Sequence, residues 1–542
     1  MNEPLSVHDA FSRAARAWPA HPFLDILPQT AAAYAIASGP LTYGEAARQV
    51  DLVAHRYAAA GYGRGHRVAL LLENRPFFFV HWFALNALGA SVVPINPDLR
   101  AVELEYLLAH SEVVLIVAIP ARHSQLRAAA AAAAVALARP PPVIGPDDPP
   151  PHTAIAAAPA NANPSTEAAL LYTSGTTGLP KGCVVSQTWF LECGRWYLRM
   201  GGRCTVRPGE ERMLTPLPFF HMNAMACSTM AMVLSGGCLI PLDRFHPSSW
   251  WDSVVRSGAT IVHCLGVMPA MLMSLPVTPA ERAHRVRFAF CPGPDGRLHA
   301  AAEARFGIPL IDAWAMTETG AGAVVSAHVE PRRIGESCFG RVEDFMAARI
   351  VGDDGQDVAD DEPGELLVRH AGGDPRFGFF TEYLKDPDAT AAAWSGAWFH
   401  SGDIVQRNGQ GEMFFIDRKK NVIRRSGENI SAVEVEGVLQ QHDLVRAAAV
   451  CAVPDPVRGD EVLACIIANT PPPDPAGAGR AIVAWCLSRL AYYKAPGYVA
   501  FVTELPLTAT NKIQRGNLRT LAERLAADPA TIDTRAMKRR DA

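Results

Sequence analysis

Tyr172-Thr-Ser-Gly-Thr-Thr-Gly-Leu-Pro-Lys-Gly182 places three glycines, four aliphatic hydroxyls and one lysine in eleven residues. Glycine lets a backbone turn tightly and approach a ligand closely. The amides and hydroxyls of such a loop donate to phosphate oxygens, and Lys181 adds a point charge on a flexible stem, suited to a polyphosphate. The stretch is not a Walker A loop, because Leu179 and Pro180 stand between Gly178 and the lysine. Thr173, Ser174, Gly175, Thr176, Thr177, Gly178 and Lys181 are therefore candidate phosphate contacts.

Upstream of this loop the chain alternates helix and strand. Thr42 is a capping residue ahead of a helix, and residues 65–72 turn into a continuous apolar strand, as in a parallel sheet covered on both faces. A helix over 77–88, a strand over 92–94, a helix over 101–110 and a strand over 113–118 follow. That order implies right-handed crossovers and a doubly wound sheet. The alanine run 128–134 predicts a helix, and the proline runs at 140–142 and 149–151 predict exposed loops. Residues 471–479 read as a second such loop, between a strand over 462–467 and a helix over 480–490. Residues 364–369 and the turn at Gly409 read as short antiparallel strands. The composition changes again near residue 417, and about 120 residues remain, enough for a small α+β domain.

A chain of 542 residues exceeds one compact core, so at least two domains are expected. Fifty basic against 54 acidic side chains leave a net charge of −4, which creates no field for nucleic acid or an anionic membrane. Lys538-Arg539-Arg540 reads as a solvated tail. Eleven cysteines run from Cys183 to Cys486 without a C-x-x-C pair, which argues against a disulfide framework or zinc site and for a reducing, cytoplasmic setting. The first residues lack the basic flank and apolar core of a signal peptide. Residues 76–95 are uncharged and about long enough to cross a bilayer. His81, Asn86 and the break at Gly89 instead predict a buried helix running into a buried strand, with no stable membrane insertion.

Five further stretches carry chemistry. Trp314-Ala-Met-Thr-Glu-Thr-Gly320 offers a carboxylate that makes sense beside triphosphate as a metal holder; alone, it reads as a capping threonine with a nearby glutamate. In Trp398-Phe-His-Ser-Gly-Asp403 an aspartate at a strand end can accept from ribose hydroxyls, and Asp417-Arg418 follows. Arg425-Ser-Gly-Glu-Asn-Ile-Ser431 contains a glycine turn at Gly427. Leu505-Pro-Leu-Thr-Ala-Thr-Asn-Lys-Ile-Gln-Arg515 presents Lys512, and Pro216-Leu-Pro-Phe-Phe-His-Met-Asn223 presents one histidine, His221, in an apolar run.

With the 172–182 loop, these stretches, in this order between Thr42 and Arg519, resemble the adenylate-forming superfamily: acyl-CoA synthetases, peptide-synthetase adenylation domains and firefly-type luciferases. The resemblance implies an α/β fold, with a large N-terminal domain of doubly wound sheets plus a small β-barrel-like part (residues 1–418). A small mobile α+β C-terminal domain (419–542) would follow, hinged at Lys420. It also implies ATP, Mg²⁺ and coenzyme A as cofactors and cosubstrates, and a small carboxylic acid as substrate. Glu318 would hold the metal and Thr317 contact phosphate. Trp314 would stack on adenine, Asp403 and Arg418 reach the ribose, and Lys512 enter for adenylation only. Gly427 would meet the pantetheine arm and His221 gate the acyl pocket.

The chain departs from the family where Trp314-Ala315 replaces Tyr-Gly, Asn511 replaces glycine, and Cys291-Pro-Gly-Pro294 replaces a small-residue run. Cys183, Trp189, Met222, Asn223, Gly293, Pro294 and Ala315 are placed near the acyl pocket. Three readings follow: an AMP-forming acyl-CoA ligase, an adenylase that loads a separate carrier protein, and a nucleotide-binding sensor without turnover. The identity of the acid and the oligomeric state stay open.

Overall fold

The computed structural model describes residues 3–99, 101–137, 139–159, 163–173, 180–418, 422–425, 428–455, 458–490, 492–507 and 513–539. Thr42 caps the helix Tyr43–Ala59 as predicted. Its hydroxyl accepts from the Glu45 amide at 3.2 Å and the Glu45 carboxylate accepts from the Thr42 amide at 2.9 Å, a reciprocal capping box. Residues 76–95 form the buried helix Pro76–Ala87 and the buried strand Ser91–Pro94. Its two polar interruptions find partners within the fold: His81 meets Tyr57 and the Pro146 carbonyl, and the Asn86 amide nitrogen donates to the carbonyls of Ala90 and Ala168. Among the described residues no helix is long and apolar enough to cross a membrane.

The described residues form four large sheets. The first has the strand order Leu310–Ile311, Phe288–Phe290, Ile261–His263, Arg212–Thr215, Cys238–Pro241, Pro22–Ile26 and Gly39–Thr42, parallel except for the last pair. The second runs Glu382–Tyr383, Lys181–Ser186, Glu167–Thr173, Ser91–Pro94, Arg67–Leu71, Leu115–Ala118 and Val143–Ile144, with its first two strands antiparallel to their neighbours. Its central strand Arg67–Leu71 is apolar on both faces, as read from the sequence, and so are its neighbours Ser91–Pro94 and Leu115–Ala118. Val68, Leu70, Val92 and Leu115 enter one core, whereas Ala69, Leu71, Val93 and Ile116 enter a second core beneath the helices Ala101–Ser111 and His123–Leu137.

The third sheet is antiparallel and six-stranded, and includes Gly364–His370, Trp398–Arg407 and Glu412–Arg418. The fourth starts with Val422–Arg425 and is covered on one face by helices Ala432–Leu439 and Pro475–Leu487 and on the other by Arg515–Ala526. Two sequence expectations fail here. Residues 475–479 are helix rather than loop, because Asp474 caps the Gly477 amide at 2.9 Å and Pro475 occupies the first helical position. Lys538 is not a solvated tail residue. Its side chain is buried and donates to Glu461, whose other oxygen takes Arg425 at 2.8 Å. Two cations share one fully buried carboxylate, so the C-terminal tail is pinned to the middle of its sheet.

Lys538→Ala leaves Glu461 its Arg425 counter-ion but strips a charged hydrogen bond from a fully buried carboxylate, a loss of about 1–3 kcal/mol. The C-terminal unit should therefore lose roughly 2 kcal/mol in denaturant unfolding; a loss below about 0.5 kcal/mol, typical of an exposed tail, would refute the assignment.

Candidate active site

Residues from three of the four sheets meet around the turn at 312–320. The first ends at Ile311, and its chain continues as Asp312, the short strand Ala313–Trp314, and a turn through Thr317 and Glu318. This turn forms no helix, so the capping reading of Thr317 does not apply. Trp189, on the helix Gln187–Arg199, donates its indole N–H to the Thr317 carbonyl at 3.1 Å. The Phe380 amide donates to the Glu318 carbonyl at 2.8 Å. Gly320 closes the turn at φ 51°, and a Cβ there would lie 2.3 Å from the Trp189 indole nitrogen. Only glycine fits both demands.

The second sheet brings the glycine-rich hairpin. Thr173 pairs with Lys181 across its mouth; Ser174, Gly175, Thr176, Thr177 and Gly178 lie outside the described residues. Thr173 packs over Cys183, whose thiol is pushed well above its ordinary value by burial and then by the Glu318 carboxylate. The Lys181 ammonium sits 3.9 Å from the Asp386 carboxylate and 4.8 Å over the ring of Tyr383. Tyr383, in the edge strand beside Cys183, donates its hydroxyl to Glu318 Oε1 at 2.8 Å. Burial, followed by the Glu318 charge, raises the Tyr383 phenol well above its usual range.

The third sheet supplies Asp403, 3% exposed, which accepts from the Trp314 indole at 2.8 Å. These two residues, separated by 89 positions in the chain, were both read from sequence as nucleotide contacts, and the fold joins them. Asp403 also stands opposite Arg418 in the antiparallel ladder. Lys420, Gly427 and Lys512 lie outside the described residues. His221 is exposed at the start of a π-helical turn, Asn223–Ser228, a form frequent at functional sites. The hydroxyls of Ser228 and Thr229 satisfy the carbonyls of Asn223 and Ala224. Of the other pocket candidates, Ala315 and Gly293 are exposed, Met222 half-buried, and Trp189 and Cys183 buried.

Sequence reasoning missed Tyr383, Asp386 and Asp312. Asp386-Pro387 carries the signal of a helix start, and Asp386 does cap the Ala389 amide at 3.0 Å. Nothing local ties it to Lys181. Asp312 accepts from the amides of Gly293 and Ala313, each at 2.8 Å, and burial lifts its carboxyl to about 6 despite them.

The model of the AMP-binding enzyme family matches residues 11–373, and that of the AMP-binding enzyme C-terminal domain matches 434–512. The chain is 32% identical to the sulfoacetate–CoA ligase of Cupriavidus necator over 518 residues, covering 93% of this chain and 95% of that protein. It is 29% identical to a crotonobetaine/carnitine–CoA ligase of Salmonella paratyphi B over 497 residues, 88% of this chain and 93% of the other. The fold is similar to that of Bacillus subtilis O-succinylbenzoate coenzyme A synthetase in complex with ATP and magnesium ion, with a TM-score of 0.77, 23% identity, and coverage of 94% and 98% of the two chains.

The raised Asp312 carboxyl has a defined sign. The folded state keeps this proton to higher pH than the unfolded chain, so stability is greatest below the ordinary value of 3.8 and falls as pH rises to about 6. An asparagine can accept the same two amides without titrating. Relative to Asp312→Asn, the unmodified protein should lose on the order of 3 kcal/mol between about pH 4 and pH 6.5 in denaturant unfolding; parallel pH profiles would disprove it. Sequence, geometry and comparisons agree that the chain belongs to the AMP-binding enzyme family, the adenylate-forming superfamily that its motifs resemble.

Proposed function

We propose that this site activates a small carboxylic acid as its acyl-AMP and passes the acyl group to coenzyme A. The chain is an AMP-forming acid–CoA ligase. The observation that carries this reading is the meeting of Lys181, Glu318, Trp314 and Asp403 from three sheets, with the cation and the carboxylate held apart on opposite parts of Tyr383.

An anionic carboxylate attacking a polyanionic triphosphate meets strong repulsion, so the site must neutralise charge and hold both reactants in line. Lys181 and the loop hydroxyls donate to phosphate oxygens, and Asp403 and Arg418 hold the ribose. A single buried carboxylate with one oxygen fixed by Tyr383 is a donor that suits Mg²⁺ shared with phosphate oxygens. When bound at Glu318, Mg²⁺ would supply positive charge for the triphosphate. A carboxylate oxygen of the acid attacks the α-phosphorus, with Lys512 drawn in, and the bond to pyrophosphate breaks. The CoA thiol, losing its proton, then attacks the acyl carbon and AMP leaves. Lys512 is needed in the first half-reaction, and the Gly427 turn in the second. Rotation of the C-terminal domain about Lys420 exchanges them. His221 stands at the mouth of the acyl pocket.

The test is release of AMP, pyrophosphate and thioester with ATP, Mg²⁺ and CoA across a panel of carboxylic acids. AMP and acyl-CoA should appear together for one group of acids. Lys512→Ala should slow adenylation by about 10²–10³-fold, the size of losing one transition-state donor, yet still convert preformed acyl-AMP to thioester. Pyrophosphate exchange without thioester would instead indicate a carrier-protein acceptor, and ATP binding without turnover a sensor.

A further inference from the structure

Lys181 and Glu318 carry opposite charges, both touch Tyr383, and both are partly withdrawn from solvent. In such surroundings, attraction between unit charges a few ångströms apart is several-fold stronger than in water. Nevertheless, they do not pair. The carboxylate beside the Lys181 ammonium is that of Asp386, at 3.9 Å, and Glu318 is held by a neutral donor. The group between them is Tyr383. The Lys181 ammonium lies over its ring face, 4.8 Å from the centroid, while the hydroxyl at the far end of the same ring donates to Glu318 Oε1 at 2.8 Å.

Backbone contacts fix the ring in this place. Tyr383 stands opposite Cys183 in the strand ladder, two residues along from Lys181, and its amide donates to the Thr390 hydroxyl at 3.0 Å. An ammonium on a ring face gains from the ring quadrupole without being neutralised. A carboxylate with one oxygen held by a hydrogen bond keeps its orientation and leaves the other oxygen open, as carboxylates that ligate metals commonly do through an outer partner.

We propose that Tyr383 is the positioning residue of the nucleotide site. By this account it keeps Lys181 and Glu318 from neutralising each other, so that the ammonium stays available to phosphate oxygens and the carboxylate to a divalent cation. This rests on the reading of Glu318 and Lys181 given above.

Two variants separate the two functions of the ring. Tyr383→Phe keeps the face and removes the hydroxyl; Tyr383→Leu removes both. ATP binding is measured on the full chain by tryptophan fluorescence, first without Mg²⁺ and then as a function of Mg²⁺, and melting temperature is recorded for each protein. Tyr383→Phe should bind ATP without Mg²⁺ within twofold of the unmodified protein, but need about tenfold more Mg²⁺ for half-maximal enhancement, as is usual when an outer partner of a metal ligand is lost. Tyr383→Leu should in addition bind Mg²⁺-free ATP about fivefold more weakly, within the range of a cation–π contact. An unchanged Mg²⁺ requirement in Tyr383→Phe overturns the proposal, as does a melting-temperature change with both binding curves unmoved, which is the mark of a purely structural tyrosine. Absence of any Mg²⁺ effect in the unmodified protein overturns it together with the metal role of Glu318. Mg²⁺-dependent ATP binding that shows the Tyr383→Phe shift, but without thioester formation from any acid, overturns only the ligase reading and supports the proposal.

Discussion

Between residues 312 and 320 the chain has regular strand pairing only at Ala313–Trp314, against Val325–Ser326, yet much of this stretch is buried. Buried backbone groups without partners are costly, so the segment must find them elsewhere. It does so through three sheets. Asp312 ties it to the Gly293 amide at the end of the first sheet, Phe380 beside the edge of the second donates to the Glu318 carbonyl, and Trp314 donates to Asp403 of the third. Within the turn, the Thr319 hydroxyl takes the Met316 amide and the Met316 carbonyl takes the Gly320 amide. No one sheet places Glu318. Its position is a property of the assembled large domain.

The roles proposed for the two charged groups would account for their different exposure. Lys181 is one-third exposed and Glu318 is 6% exposed. A lysine that follows phosphate oxygens works through a flexible stem and tolerates solvent. A carboxylate meant for a small, hard cation works only if its oxygens are fixed, and fixing them means burial. Burying a carboxylate is unfavourable unless donors or cations satisfy it. The Tyr383 hydroxyl supplies one donor, and a cation shared with substrate phosphate would supply the compensating charge when nucleotide is bound.

Much of this was legible from the sequence because the chemistry is concentrated in short contiguous motifs. The 172–182 loop and Thr317-Glu318 announce residue types at turns, and the β–α–β alternation announces the sheet that carries the loop. Asp403, expected at a strand end, lies instead inside the strand Trp398–Arg407, because its hairpin continues through the turn at Gly409. The groups that escaped notice act across the fold. Tyr383 matters only because its strand pairs beside Cys183, some 200 residues earlier. Asp312 matters because parallel strands bring Gly293 level with it. Lys538 looked like solvated charge because its partner, Glu461, lies 77 residues away in the middle of a sheet. The helix start at Pro475 was, by contrast, written locally as Asp-Pro and was outweighed by the glycines that follow.

The departure at Cys291-Pro-Gly-Pro294 can be understood in the same terms. Proline on either side leaves Gly293 as the only amide donor in the run 292–294, and that amide goes to Asp312. Gly293 adopts φ 69°, a conformation that favours glycine, and the Pro292 carbonyl takes the Gly266 amide at 3.1 Å. A Cβ on Gly266 would lie 1.7 Å from the Gly293 carbonyl oxygen, so the two chains meet backbone to backbone with no side chain between them. Two prolines restrict φ, a buried carboxylate fixes the one free amide, and a bare glycine closes the gap. This segment is therefore shaped by backbone rather than by side chains, and a bulkier residue at Gly266 or Gly293 would have to displace main chain or adopt a strained φ.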